Sequence, residues 1–492
     1  MVENKSISSH LTSLKPEKFL PLFFGILYLL LPTNNPTADA WEYASNVKYG
    51  VELIRPHHLL YNPFFFELYR LWSAVIGPGT DVLHFMMVVN ALFGMLSLHV
   101  LYRILKKLGV SPQSAAVWLL FAGGSFAMLR FSTENETYIL PLYCSLQGSY
   151  FYLRYLQKKG HFRFILLAGI FATIGMLFHQ IHFFWWLGLA IGLLRYRHVK
   201  GLLVYLIPGW IAPIVYLFGA ISYYHHFPDF GEMSHFIFHS YSTGSATVDV
   251  GMKNFLLTPI NFIRSFLQIH GNIPLIMRSY PVRSGFALLV VALLLWQAIG
   301  HRPKVFKKGS LRHEIAGTHL LIAGMQLAFA FFSHGNAEFM VMLPALVVII
   351  VAARYQIPSK LILWGSLAML VWNLSFGILP RHQLDYYDNG TLVEVIDSLK
   401  PAPLVLYDKF TVGARYRYQF GPANTPSLYA PEDSLPKGPF YTDLRTKPTP
   451  LSRRSLLHRS DTGKYRLLQQ VKTIHGFYGS YTIDQVQLNF GE

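Results

Sequence analysis

Residues 164–194 read FILLAGIFATIGMLFHQIHFFWWLGLAIGLL, an apolar run of 31 positions broken near its middle by His179, Gln180 and His182. Basic linkers close both ends, RYLQKKGHFR at 154–163 and RYRHVK at 195–200. Lys and Arg stay on the cytoplasmic side of a membrane, so a stretch flanked by them on both sides crosses an even number of times. Yet two helices through a hydrocarbon layer of about 30 Å need about 40 residues at about 1.5 Å each. Two shortened spans are therefore expected, meeting at LFHQIHFF below the outer surface. Irregular backbone at that depth survives only beside protein or a wet cavity, so the turn implies a polar dip.

The same alternation extends outward along the chain. Apolar blocks fall near 19–33, 82–102, 112–129, 138–153, 164–178, 181–194, 201–222, 284–299, 315–332, 339–353 and 361–379. The N-terminal tail and the linkers at 103–111, 154–163, 195–200, 300–314 and 354–360 carry twenty Lys or Arg against three acids, Glu3, Glu17 and Glu314. The alternate loops, 34–81, 130–137, 223–283 and 333–338, carry eight basic and eleven acidic residues. The reading is an α-helical polytopic membrane protein of about eleven transmembrane helices, N-terminus cytoplasmic and C-terminus extracytoplasmic. The first apolar block follows no small-residue cleavage site, so it reads as a retained span rather than a signal peptide.

Composition agrees: 52% of the chain is hydrophobic and 14% charged, where soluble domains carry roughly 25% charge. The net charge of +17 would suit nucleic acid, but much of the excess lies in the cytoplasmic linkers and sets topology. Nucleic acid is excluded as a partner on that ground. Cys144 is the single cysteine, which rules out an internal disulfide, a cysteine zinc site and a redox pair. After residue 379 the character changes. TLVEVIDSLK has helical period, PLVLYD is strand-like and YTIDQVQLNF alternates, so 380–492 is expected to form a small extracytoplasmic α/β domain beside the membrane domain 1–379. The prolines between Pro422 and Pro450 mark its middle as loop-rich.

The outer loops are polar close to the membrane. In the first, ADAWEYASNVKYG has helical spacing and suits a helix lying along the interface. Asp39 and Glu42 stand three apart and share a face, offering a general base with an ion partner, or a metal anchor. Thr37 or Asp39 would cap that helix, and a cap is the plain alternative role for Asp39. Downstream, RPHHLLY brings Arg55, His57, His58 and Tyr61 together, either as a phosphate grip or as a basic anchor for lipid head groups. Tyr61 and Trp41 also fit an aromatic belt. The second loop, RFSTENETYILPL, sets Arg130, Glu134 and Glu136 at the mouth of a span, and alternate spacing turns only one of the two acids toward a site. A solvated helix start is the plain alternative. His179 and His182 fit a cavity lining; their spacing also suits a metal, but no carboxylate lies beside them in sequence. The fourth loop, SHGNAEFMVMLP, adds His334 and Glu338, and the third, 223–283, is long enough to cover a site. There is no Walker loop, dinucleotide glycine pattern or zincin motif.

With these strings on the page, residues 19–380 resemble the GT-C superfamily of membrane glycosyltransferases. The likeness rests on DAWE followed by RPHHLLY, on ENETYILPL, and on GNAEFMVMLP before an apolar span. It is nearest the protein O-mannosyltransferase-like branch, in which D-x-x-E precedes a His-Pro-rich loop; here the order is RPHH rather than HPPG. The resemblance implies inverting transfer of a sugar from a polyprenyl-phosphate donor, with Asp39 as base toward an acceptor hydroxyl. Physics agrees with the donor class, because nucleotide sugars are cytoplasmic and an outer site needs a donor brought by lipid. Cations aimed at the departing phosphate lower the barrier, and Arg55, His57 and His58 are the candidates. Expected partners are the lipid-linked donor, a glycan, lipid or protein acceptor, and membrane lipid. No cofactor is indicated, and the expected location is a bacterial inner membrane. A transporter or flippase of lipid-linked sugar, without chemistry, is the alternative, although no inverted repeat is visible. A structural membrane subunit is a third reading, disfavoured by the acids and histidines in the outer loops.

Overall fold

In the computed structural model the described residues are 16–77, 79–158, 160–243, 250–269, 272–299, 310–355, 357, 359–447 and 465–488. Residues 1–15, most of the 300–314 linker, GSATVD at 244–249 and the prolines at 448 and 450 lie outside them.

Each apolar block forms helix, as apolar side chains with no competing polar backbone partner dictate. Their lengths differ from a uniform set of eleven crossings. Among the described residues, five helices are long and apolar enough to span: Val82–Lys107, Val199–Tyr224, Pro281–Ile299, Leu311–Phe332 and Ser359–Gln383. A sixth arises if Pro112–Gly124 and Phe126–Ser132 count as one; they meet at a bend of 62° where Ser125 turns extended. The pair Phe162–Phe178 and Phe183–Arg195 is shorter, at 17 and 13 residues, and breaks at His179 as the sequence foretold. Leu293, Trp296 and Ile299 are more than half exposed on Pro281–Ile299. Apolar faces of that size require lipid around them, so the chain is an integral membrane protein.

The loops expected outside the membrane are largely helical. Ala38–Tyr49 forms as expected, starting at Thr37, whose hydroxyl accepts from the Ala40 amide, and stopping at Gly50 in the left-handed region (φ 65°). A second helix, Tyr61–Ile76, was not anticipated; it exposes Leu71, Trp72, Val75 and Ile76. The third loop contains Phe230–Ile237, Met252–Arg264 and Ile273–Ser279.

The C-terminal part is mixed α/β. Strands β1 (Leu404–Val405), β2 (Leu428–Tyr429), β3 (Phe440–Thr442), β4 (Tyr465–Gly476) and β5 (Gly479–Leu488) form one sheet in the order β2-β1-β3-β5-β4. β1 runs parallel to both neighbours, and β5 antiparallel to β3 and β4. Helices Asn389–Ser398 and Lys409–Phe420 cover it, burying Leu392, Ile396, Val412 and Tyr416 against Ile474 and Ile483. The hairpin tip holds the segment that follows the last apolar helix: the Phe477 and Tyr478 amides donate to Asp385 and Tyr386 carbonyls at 2.9 and 3.2 Å.

Candidate active site

The site begins with Thr37. Its hydroxyl caps the helix Ala38–Tyr49 and also donates to Glu136 Oε1 at 2.5 Å, while its amide donates to Glu134 Oε1 at 3.1 Å. One residue thus pins the first outer loop onto the second and takes over the capping role. Asp39 is left in the first turn, exposed, with no hydrogen-bond partner for its carboxylate among the described residues.

The other acids are all tied. Glu134 is fully buried; Arg130 Nε donates to it at 3.3 Å and Arg381 Nη2 to both oxygens at 3.0 and 3.1 Å. Glu338 accepts from the Tyr138 hydroxyl at 3.2 Å and lies 3.7 Å from Arg130 Nη2. Glu42 Oε1 receives Arg55 Nη2 at 2.5 Å and Arg417 Nη2 at 3.0 Å. The segment 132–138 is buried throughout, so it is no solvated helix start. Its two acids do diverge, Glu134 toward the arginines and Glu136 toward Thr37.

Solvent reaches Asp39 from one side while protein crowds the others. Burial first, then the charges of Glu338 and Glu42, raises its carboxyl to about 6 against the pull of Arg55. Glu136 is held well above the usual carboxylate range by burial, then by Glu338, Asp39 and Glu134. Among the described residues no group of three or more His, Cys, Asp or Glu is placed to hold a metal ion.

Tyr61 is fully buried beneath the site, its hydroxyl donating to Asn135 Oδ1 at 2.8 Å, so it supports the second loop rather than a membrane belt. His57 Nδ1 pairs with Gln180 Oε1 at 2.8 Å. His58 is packed between Tyr43 and His179, with ring centroids 5.7 and 4.5 Å away. Burial, then His57 and Arg55, drives its pKa to about 3, which leaves it neutral and no cation for a phosphate. His182 is buried with Nδ1 2.7 Å from Ser145 Oγ and does not line the cavity described next.

That cavity holds about 970 Å³. Trp186, Ala212, Tyr216, Phe329 and Phe339 give it apolar walls, and Ile237, Phe238 and Tyr241 of the third loop close one side. Its polar residues are His57, His179, Gln180, Ser333, His334 and Asn336. The acid cluster adjoins it: Asn336 Oδ1 accepts from the Glu338 amide at 3.0 Å, and the His179 ring lies 4.9 Å from Tyr138. His334 and Gly335 both turn left-handed (φ 55° and 68°) to make this corner, and a Cβ on Gly335 would meet the Thr258 nitrogen at 2.5 Å. Only glycine lets the fourth loop sit this close to Met252–Arg264.

Three arginines were not singled out from the sequence. Arg381 and Arg417 pair with acids hundreds of positions away, a relation no local pattern reveals. Arg264 is different. Its Nε is buried without a hydrogen-bond partner, and no carboxylate pairs with it among the described residues. Burial, then Arg130 and Arg381, lowers it to about 10, with Glu338 opposing. Arg264 is thus a partly buried cation beside two other arginines, with Glu338 the opposing charge.

No family model matches the sequence, and no curated protein matches it. Among solved structures the chain is similar to ArnT from Cupriavidus metallidurans in the apo state, at 12% identity and TM-score 0.47, over 97% of this chain and 98% of that one. The same protein bound to undecaprenyl phosphate gives 10% and 0.45 over the same shares. The apo oligosaccharyltransferase of Archaeoglobus fulgidus gives 12% and 0.49, over 84% of this chain and 64% of that one. Likenesses at this level transfer no activity to the chain, and the functional reading rests on the site.

Proposed function

We propose that the chain is a glycosyltransferase of the GT-C type, moving a sugar from a polyprenyl-phosphate donor to an acceptor hydroxyl outside the membrane. The observation that supports this most is an unpaired acid and an unpaired cation around the cluster that adjoins the apolar cavity through Glu338 and Asn336. Among the described residues the Asp39 carboxylate forms no salt bridge, and no carboxylate pairs with Arg264. The cavity takes the polyprenyl chain, and Arg264 faces the phosphate. Asp39 removes the proton from the acceptor hydroxyl, whose oxygen attacks the anomeric carbon from the face opposite the phosphate. The carbon–oxygen bond to phosphate breaks with its electron pair, so polyprenyl phosphate departs and configuration inverts. Charge grows on the phosphate in the transition state, which Arg264 opposes in a water-poor setting. Arg55 and His57 remain candidates for the same phosphate, and no cofactor is assigned.

The decisive assay incubates the purified protein in vesicles with a polyprenyl-phosphate sugar and a panel of hydroxyl acceptors. Release of polyprenyl phosphate with a new glycosidic bond supports the reading. Movement of intact donor between leaflets, without bond cleavage, replaces it with the transporter. Arg264→Gln is expected to lower turnover by about 10²- to 10³-fold, as removal of one charge-stabilising donor does. An unchanged rate would detach Arg264 from the phosphate.

Eleven crossings, a cytoplasmic N-terminus and an outer C-terminal domain in a bacterial inner membrane belong to the same proposal. A reporter active only in the cytoplasm, fused after Glu492, should therefore be silent. A strong signal would put the acid cluster on the wrong side for a lipid-borne donor.

A further inference from the structure

The C-terminal domain touches the helix that carries Asp39. Helix Lys409–Phe420 presents Arg417 to Glu42 Oε1 at 3.0 Å, the same oxygen that Arg55 holds at 2.5 Å. One residue on, Tyr418 packs its ring 5.2 Å from Trp41, and its hydroxyl donates to Asp81 Oδ2 at 3.0 Å. The Tyr418 carbonyl, in the last turn, accepts from Lys48 Nζ at 2.8 Å and the Tyr49 hydroxyl at 3.1 Å. Carbonyls there lack helix partners, so the end of one helix satisfies the end of the other.

These contacts are spread along the loop helix. Trp41 and Glu42 lie in its first half, one turn or less from Asp39, and Lys48 and Tyr49 at its far end. The opposite face of that helix is buried, with Ala40, Tyr43, Ala44 and Val47 in the membrane part. The helix is thus clamped from both sides, and the Arg417–Glu42 pair is the polar contact nearest Asp39.

We propose that Arg417 is a positioning residue for the transfer site, holding Glu42 and through it the helix register that presents Asp39. The inference rests on the transferase reading for its kinetic part alone. The groups facing Asp39 are Glu42, Tyr43 and Arg55 of the first loop, Glu134, Glu136 and Tyr138 of the second, and Glu338 of the fourth. With Arg417 gone, Glu42 keeps one arginine instead of two. Its negative charge is then felt more strongly at Asp39, which takes up a proton at higher pH.

The test uses the full-length protein in lipid vesicles, wild type beside Arg417→Ala and Arg417→Lys. For Arg417→Ala, kcat should fall by about 10- to 100-fold with KM for the donor within about twofold, since a small misplacement of a reacting group acts on the chemical step. The acid limb of its pH–rate profile should move to higher pH. Backbone amides of Ala38–Tyr49 should exchange about tenfold faster by mass spectrometry, because a constraint on local opening is gone. Arg417→Lys, with the charge but without the planar fork, should restore part of each. Unchanged kcat overturns the proposal, whether or not amide exchange changes. Lost kcat with unchanged exchange in 38–49 also overturns it, because Arg417 would then act on substrate directly. Absence of donor turnover by the wild type sinks the transferase reading by itself, and amide exchange still decides whether Arg417 holds the helix.

Discussion

Asp39→Asn is expected to lower transfer by about 10²- to 10⁴-fold, the usual contribution of a general base. The substitution is informative because the structure separates chemistry from folding. Thr37 caps the helix, so Asn at 39 removes no cap, and among the described residues the Asp39 carboxylate makes no hydrogen bond that the change could break. Folding should therefore be unchanged by thermal unfolding of the intact protein. Glu42→Gln and Glu136→Gln are the comparisons. Near-native transfer by Asp39→Asn together with loss in Glu42→Gln would place the base one helical turn further on. Activity in all three would remove the carboxylate mechanism altogether. The wild-type profile of kcat/KM should lose activity as pH falls through about 6, where Asp39 takes up its proton. Glu338 is the largest charge raising that value, so Glu338→Gln should move the limb to lower pH.

Glu134→Gln should cost about 3–5 kcal/mol of stability, because it strips a buried carboxylate from two arginines at once. Arg130 and Arg381 both donate to Glu134; Arg130 is 9% exposed and Glu134 0%, while Arg381 is half-buried. The amide keeps the shape and some acceptor capacity but not the charge. Thermal unfolding in detergent should show a large fall in midpoint for Glu134→Gln. Combining it with Arg381→Leu should recover part of the loss, since fewer buried cations remain unpaired. A fall no larger than that of an exposed pair, about 1 kcal/mol or less, would mean that water or lipid head groups already serve these arginines.

The acids that meet at the site were legible because each stood in a loop expected outside the membrane, and that expectation followed from charge alone. Their division of labour was not. Asp39, Glu42, Glu134 and Glu136 look alike in sequence, and what separates them is which arginine each meets, from positions as distant as 381 and 417. The break at His179 was readable from length, while the bend at Ser125 was not, because Gly123, Gly124 and Ser125 sit inside a block long enough to be read as one span. Helix Lys409–Phe420 escaped detection for a specific reason. It buries Val412 and Tyr416 in its own domain and Tyr418 against the membrane part, so its apolar residues alternate instead of marking one helical face. The number of crossings is hard to read for the opposite reason: several helices are too short to span by themselves.

The shortened pair Phe162–Phe178 and Phe183–Arg195 has a consequence for the lipid as well as for the chain. At about 1.5 Å per residue these helices reach only about 26 and 20 Å, so hydrocarbon against them must thin or give way to water. For a donor whose tail lies in lipid and whose phosphate is charged, carrying that charge into hydrocarbon would cost at least about 3 kcal/mol. On the transferase reading, the break beside the cavity, where His179 and Gln180 line the wall, lowers that barrier. On that reading the tail enters the cavity sideways, and the depth at which the helices break sets the depth at which a donor's sugar would be presented.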